Sequence, residues 1–191
     1  MKKKTLALLT ATIMLFGVVV GGTLAWLTAK ANPVVNTFTI GDVAIDLYEM
    51  DGNYKVYENE YQLVPGQKYT KNPTVKVLDS TNVDCYLFVE FTEGEKNNLY
   101  LNYESNLNTA EGWTQGNGTE IPKNVWYRTV KTTDSVKSWQ LIKNDEISIN
   151  GNTVTESSME DAVANTKLEY KAYAVQFDNL TVEQAWAEVS K

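Results

Sequence analysis

Residues 83–91, Val-Asp-Cys-Tyr-Leu-Phe-Val-Glu-Phe, send Val83, Cys85, Leu87, Val89 and Phe91 to one side of an extended chain and Asp84, Tyr86, Phe88 and Glu90 to the other. A period of two is incompatible with a helix, where apolar positions return every three or four residues, so this run commits the chain to a sheet. We read it as a central, half-buried strand. Shorter versions follow the same rule: Val43, Ile45 and Leu47 share one face, Val75 and Val77 follow Pro73, and further runs occupy residues 126–130, 139–142, 147–149 and 168–177. Asp51-Gly52, Pro65-Gly66, Gly94 and Asn150-Gly151 supply turn chemistry between them. Roughly eight to ten short strands separated by such turns predict an all-β, antiparallel sandwich.

Two stretches depart from the pattern. Residues 97–124 are rich in Asn, Gly, Thr and Glu, with Trp113 as the main apolar anchor, and read as a long loop or irregular insertion. Residues 153–166 are polar, with a short helix expected over 157–164. The C-terminus is predicted helical. Thr181 and Gln184 form a capping box, Glu183 lies in the first turn, and Val182, Ala185, Trp186 and Val189 make one apolar stripe. Trp186 is expected to plug one edge of the sandwich.

The first thirty residues have a different character. Lys2, Lys3 and Lys4 precede an apolar run from Leu6 to Val20 that only Thr10 and Thr12 interrupt, which is the pattern of an export signal forming an N-terminal signal helix. No charge occurs between Thr5 and Ala29, and about 20 apolar residues suffice to cross a bilayer, so a retained anchor is the alternative to cleavage. The small residues Thr23 and Ala25 favour cleavage between Ala25 and Trp26, with a second small pair at Ala29 and Ala31. The chain then divides into a signal peptide (1–25), an extended N-terminal segment (26–39) and a β-sandwich domain (40–191). Removing the leader takes three of seventeen basic residues, leaving fourteen against twenty-four acidic ones, a net charge of −10. Such a charge opposes nucleic-acid binding and anionic lipid surfaces, so contact with a membrane is expected only through the leader. It also suits a secreted protein that must remain soluble, or one whose assembly responds to cations or to acidification.

Composition excludes much chemistry. The chain has no His and one Cys, so it cannot build a Ser/His/Asp or Cys/His nucleophile, a His-ligated or four-Cys zinc site, or an internal disulfide. Cys85, on the inward face of the strongest strand, reads as a small buried hydrophobe. Asp145-Glu146 and Glu160-Asp161 are adjacent carboxylates without the alternating Asp/Asn and Gly spacing of a calcium loop, and read as solvated turns. Trp113, Trp126, Tyr127 and Trp139 could form a sugar-stacking platform, with core packing as the competing explanation. No catalytic residue, metal ligand or cofactor site is assigned.

A resemblance is carried by residue order. Gly21-Gly22-Thr23-Leu24-Ala25-Trp26 followed by Asn36-Thr37-Phe38-Thr39-Ile40-Gly41-Asp42-Val43-Ala44-Ile45-Asp46-Leu47 resembles exported proteins of Gram-positive bacteria processed by the SipW type of signal peptidase, among them the TasA and camelysin families. Leu63-Val64-Pro65-Gly66-Gln67, then Thr74-Val75-Lys76-Val77 and Asp79-Ser80-Thr81-Asn82-Val83-Asp84-Cys85-Tyr86, is similar to that group's L-x-P-G turn and paired core strands. The ending, Tyr170-Lys171-Ala172-Tyr173-Ala174-Val175-Gln176 with Ala185-Trp186, matches the same pattern. The resemblance spans most of the chain except residues 97–166. It implies a jelly-roll-like sandwich, a signal peptidase as partner during export and, in the TasA branch, self-association or assembly with related matrix subunits into biofilm fibres by N-terminal strand addition.

The segment that would add is suited to the task. Asn32-Pro33 favours extended backbone, and Val34, Asn36 and Phe38 alternate with Val35, Thr37 and Thr39 in a β-prone run joined to the first core strand. Pairing within its own domain, or a frayed terminus, is the equal alternative. The camelysin branch is associated with metalloprotease activity, but this chain has neither His nor H-E-x-x-H, so a non-catalytic role is expected. A surface-displayed module binding glycan or protein is the rival expectation.

Overall fold

The strand predicted from residues 83–91 is the spine of the domain. In the computed structural model, which describes residues 43–177 and 179–191, it is β5 (Cys85–Glu93). Ala25, Trp26 and the segment 34–39 lie outside the described residues. Eleven strands, all antiparallel where paired, are found among the described residues, with three short α-helices. The all-β expectation is thereby met.

One sheet has the order β2 (Tyr54–Val56), β1 (Ile45–Asp51), β4 (Thr74–Val77), β9 (Ser138–Gln140). A second has the order β11 (Leu168–Gln176), β5, β8 (Val125–Val130), β7 (Thr114–Gln115). Their inner faces meet in one core: Ile45, Leu47, Val75 and Val77 from the first sheet pack with Cys85, Leu87, Val89, Val130, Ala172 and Ala174 from the second. The alternation of β1, β4 and β5 exists to fill this layer. β5 pairs with β11 over all nine residues, from Cys85↔Gln176 to Glu93↔Leu168. β1 turns into β2 through Gly52 and Asn53, with Gly52 at φ 59°, the conformation that a tight hairpin asks of its first central residue.

A third, smaller sheet joins β3 (Lys68–Thr70), β10 (Glu146–Ile149) and β6 (Leu101–Asn102). It carries its own apolar cluster of Tyr100, Leu101, Ile149, Val154 and Ala162. Helices α1 (Asn97–Tyr100) and α2 (Met159–Asn165) contribute Tyr100 and Ala162 to it, and α2 falls where the sequence predicts a helix.

Helix α3 (Val182–Val189) begins at the predicted capping box: Gln184 N–H donates to Thr181 Oγ1 at 3.3 Å, and Thr181 N–H donates to Gln184 Oε1 at 2.9 Å. Its stripe does not plug a sheet edge. Trp186 lies on the outer face of the second sheet, 5.4 Å from the Phe88 ring and 5.5 Å from the Tyr173 ring, with Ala185 and Val189 beside it. Phe88 is fully buried as a result, so β5 is covered on both faces rather than half-buried. Cys85 is also fully enclosed, and burial pushes its thiol up to about 12. Native protein is therefore expected to show no thiol reactive toward a maleimide at neutral pH, and one per chain after denaturation. Rapid native labelling would contradict this packing.

Candidate functional site

The aromatic platform considered from sequence does not form. Along β8 the side chains alternate, so Trp126 packs against the inner core while Tyr127 packs against the outer cluster under α3. Trp113 is 1% exposed and meets Trp139 edge to face at 6.2 Å. Between them lies Arg128, the chain's sole arginine, with Cζ 5.1 Å from the Trp113 ring centre and 4.2 Å from that of Trp139. Its Nη1 donates to the Glu111 carbonyl at 3.2 Å. These rings hold a cation and fill a core, which leaves them no shared open face for sugar stacking.

Three of the four carboxylates in the adjacent pairs, Asp145, Glu146 and Asp161, are engaged by the protein's own groups. Asp145 accepts from Gln140 Nε2 at 2.9 Å, and Glu146 pairs with Lys68 at 2.8 Å. Asp161 accepts from Lys96 Nζ at 2.6 and 2.8 Å and from the Tyr100 hydroxyl, while Asn165 Nδ2 reaches its Oδ1 at 3.0 Å. The bonds from Lys96 and then Tyr100 hold the Asp161 carboxyl below its usual range. Among the described residues no group of three or more His, Cys, Asp or Glu is placed to hold a metal ion, and no helix is long and apolar enough to cross a membrane.

A cavity of about 590 Å³ lies against the small third sheet. Leu63, Leu101, Ile147, Ile149, Met159 and Leu168 give it an apolar floor, and Asn59, Tyr61, Lys71 and Lys167 add polar groups. The floor follows from the third apolar cluster, which β10 and β6 build and which residues 57–67, without regular structure apart from a turn, only partly cover.

At this cavity sits a tight polar cluster centred on Glu49, near the end of β1. Lys71, in the connection from β3 to β4, is held by its backbone N–H donating to the Asp145 carbonyl at 2.8 Å, and its Nζ donates to Glu49 Oε1. Asn72 fixes the same connection to β1: its Oδ1 accepts from Met50 N–H at 2.8 Å and its Nδ2 donates to the Met50 carbonyl at 3.2 Å. Asn59 Nδ2 donates to Glu49 Oε2 at 2.8 Å. The Tyr61 hydroxyl lies 3.1 Å from Glu49 Oε2 and 3.0 Å from the Thr70 carbonyl, with one proton to give. Burial, and then the Glu49 charge, push the Tyr61 phenol upward, so it remains a donor. Lys71 Nζ also lies 5.3 Å from the Tyr61 ring centre.

Nothing in the sequence pattern announces this cluster. Glu49 follows the alternating run of β1, Asn59, Tyr61 and Lys71 come from segments with little periodicity, and only the β1–β4 pairing together with the path of residues 57–67 brings them together. No family model, no curated protein and no solved structure matches this chain.

Proposed function

We propose that this chain is an exported, non-catalytic structural protein of the cell surface or extracellular matrix, with a jelly-roll-like sandwich that self-associates by N-terminal strand addition. The leader and the motif order supply export and the TasA-like comparison, and the absence of His removes the metalloprotease route. The observation that carries assembly is the long edge of the second sheet. Among the described residues, nine-residue β11 pairs with β5 alone. Among the described residues the first half of β1 likewise has no partner on the β2 side, since β2 pairs only with Glu49, Met50 and Asp51, and β1 and β11 lie close to each other. A long unpaired edge is a template for an added strand. Val34, Val35, Asn36, Thr37, Phe38 and Thr39 of a neighbouring subunit have the composition to supply it.

Deleting residues 26–39 while keeping the signal peptide is expected to leave a folded monomer that makes no fibres by electron microscopy. Fibres indistinguishable from those of the intact protein would remove the strand-addition mechanism. The rival reading, a displayed binding module, is favoured by the apolar-floored cavity beside α2. It predicts a retained leader, and N-terminal sequencing that finds Trp26 as the first residue argues against it.

A further inference from the structure

Of the lysines that form ion pairs among the described residues, Lys71 is the most enclosed, its side chain 9% exposed and that of its partner Glu49 14%. Glu49 holds two different nitrogen groups at once, the Lys71 amine on Oε1 and the Asn59 carboxamide on Oε2. An amine, a primary amide and a carboxylate that touches both are the parts of a transamidation: nucleophile, electrophile and proton carrier.

We infer that Lys71 and Asn59 are the site of an intramolecular isopeptide cross-link, formed with Glu49 as the proton carrier. The Lys71 ammonium gives a proton to Glu49, and the freed amine attacks Asn59 Cγ. The Nζ–Cγ bond forms and the Cγ–Nδ2 bond breaks. The two protons that Nζ sheds in all pass by way of Glu49 to Nδ2, which leaves as an ammonium ion. One lysine ammonium and one asparagine carboxamide become a secondary amide and ammonium, Glu49 returns to its carboxylate, and nothing is oxidised or reduced.

Three features support this assignment over an ordinary ion pair. Lys71 is anchored through its backbone and faces the Tyr61 ring, so the nucleophile is held in place. Asn59 is exposed, which gives the departing nitrogen a path to solvent. The link would also pin residues 57–62 over the cavity by closing the loop from Asn59 to Lys71, in an exported domain whose single Cys denies it an internal disulfide. This inference does not depend on strand addition.

The test is intact-mass measurement and peptide mapping of the full chain beside its Lys71→Arg variant, so that any processing of the leader cancels. Wild type is expected to be lighter than the variant by one ammonia, about 17 Da, once the substitution itself is subtracted, and to yield a branched peptide joining residues 59 and 71. Glu49→Gln is expected to form the link at least about 100-fold more slowly, since the proton carrier is lost. Asn59→Ala, at an exposed position, gives the same mass comparison if arginine disturbs the fold. Equal masses after prolonged incubation would overturn the proposal. So would an ammonia loss that persists in both Lys71→Arg and Asn59→Ala, because an Asn-Gly pair such as Asn150-Gly151 can lose ammonia on its own.

Discussion

Trp113→Ala is expected to lower the unfolding free energy by about 3–5 kcal/mol, the range for emptying a large aromatic from a packed interior. The size follows from position. Trp113 belongs to the same core as Leu87, Val89 and Leu141, although it comes from the stretch 97–124 that reads as an irregular insertion. Its loss also strips Arg128 of one of two aromatic faces, leaving Trp139 alone against a guanidinium that burial already pulls below its ordinary value. Urea unfolding followed by far-UV circular dichroism measures the change, and avoids confusion from losing one of five tryptophans as a fluorophore. A loss under about 1 kcal/mol would mean that the insertion lies on the core without belonging to it.

That prediction marks the boundary of what the sequence reveals. β1, β4, β5 and β11 are legible because each keeps a period of two over at least four residues with one face in the central core, and β8 by its aromatic and β-branched content. The stretch from 97 to 124 is not legible in this way. Its ordered pieces are α1, β6, a 3-10 turn at Thr109–Glu111 and β7, each two to four residues long, too short to display any period. Its buried residues are correspondingly scattered: Leu107 and Trp113 enter the central core, whereas Ile121 enters the cluster beneath α3. β2 and β3 escape for another reason, being three-residue strands with mostly exposed side chains.

The Glu49 cluster is hidden by a different cause. A lysine that is 9% exposed has the same letter as one in solvent, and its burial depends on a carboxylate twenty-two residues away in sequence. Charged groups are rarely buried without a partner, so the meaning of Lys71 appears only once Glu49 is beside it. The aromatic residues illustrate the converse. Trp126 and Tyr127 are adjacent letters suggesting a single surface, yet alternation along β8 assigns them to opposite faces.

Phe88→Ala is the second large effect, also about 3–5 kcal/mol, and it tests the point where the simplest reading of the strand fails. Alternation puts Phe88 on the face of β5 opposite Leu87, and a two-layer sandwich would leave that face partly in water. There, truncation would cost little beyond a surface change of about 0.5 kcal/mol. Instead Phe88 is fully buried among Tyr127, Ala185 and Trp186, and Val125, Val175 and Ile121 complete the same cluster. Tyr173 closes its side, donating its hydroxyl to Glu90 Oε2 at 3.0 Å; burial and then that bond push its phenol up to about 12. Helix α3 is therefore a third layer. Trp186→Ala should be similarly costly, and because the two rings touch, a double-mutant cycle with Phe88→Ala is expected to give a coupling of about 0.5–3 kcal/mol. Zero coupling with two large single effects would mean that helix and sheet are stabilised separately. A small effect at Phe88 alone would mean that α3 leaves the sheet in solution, exposing an apolar face.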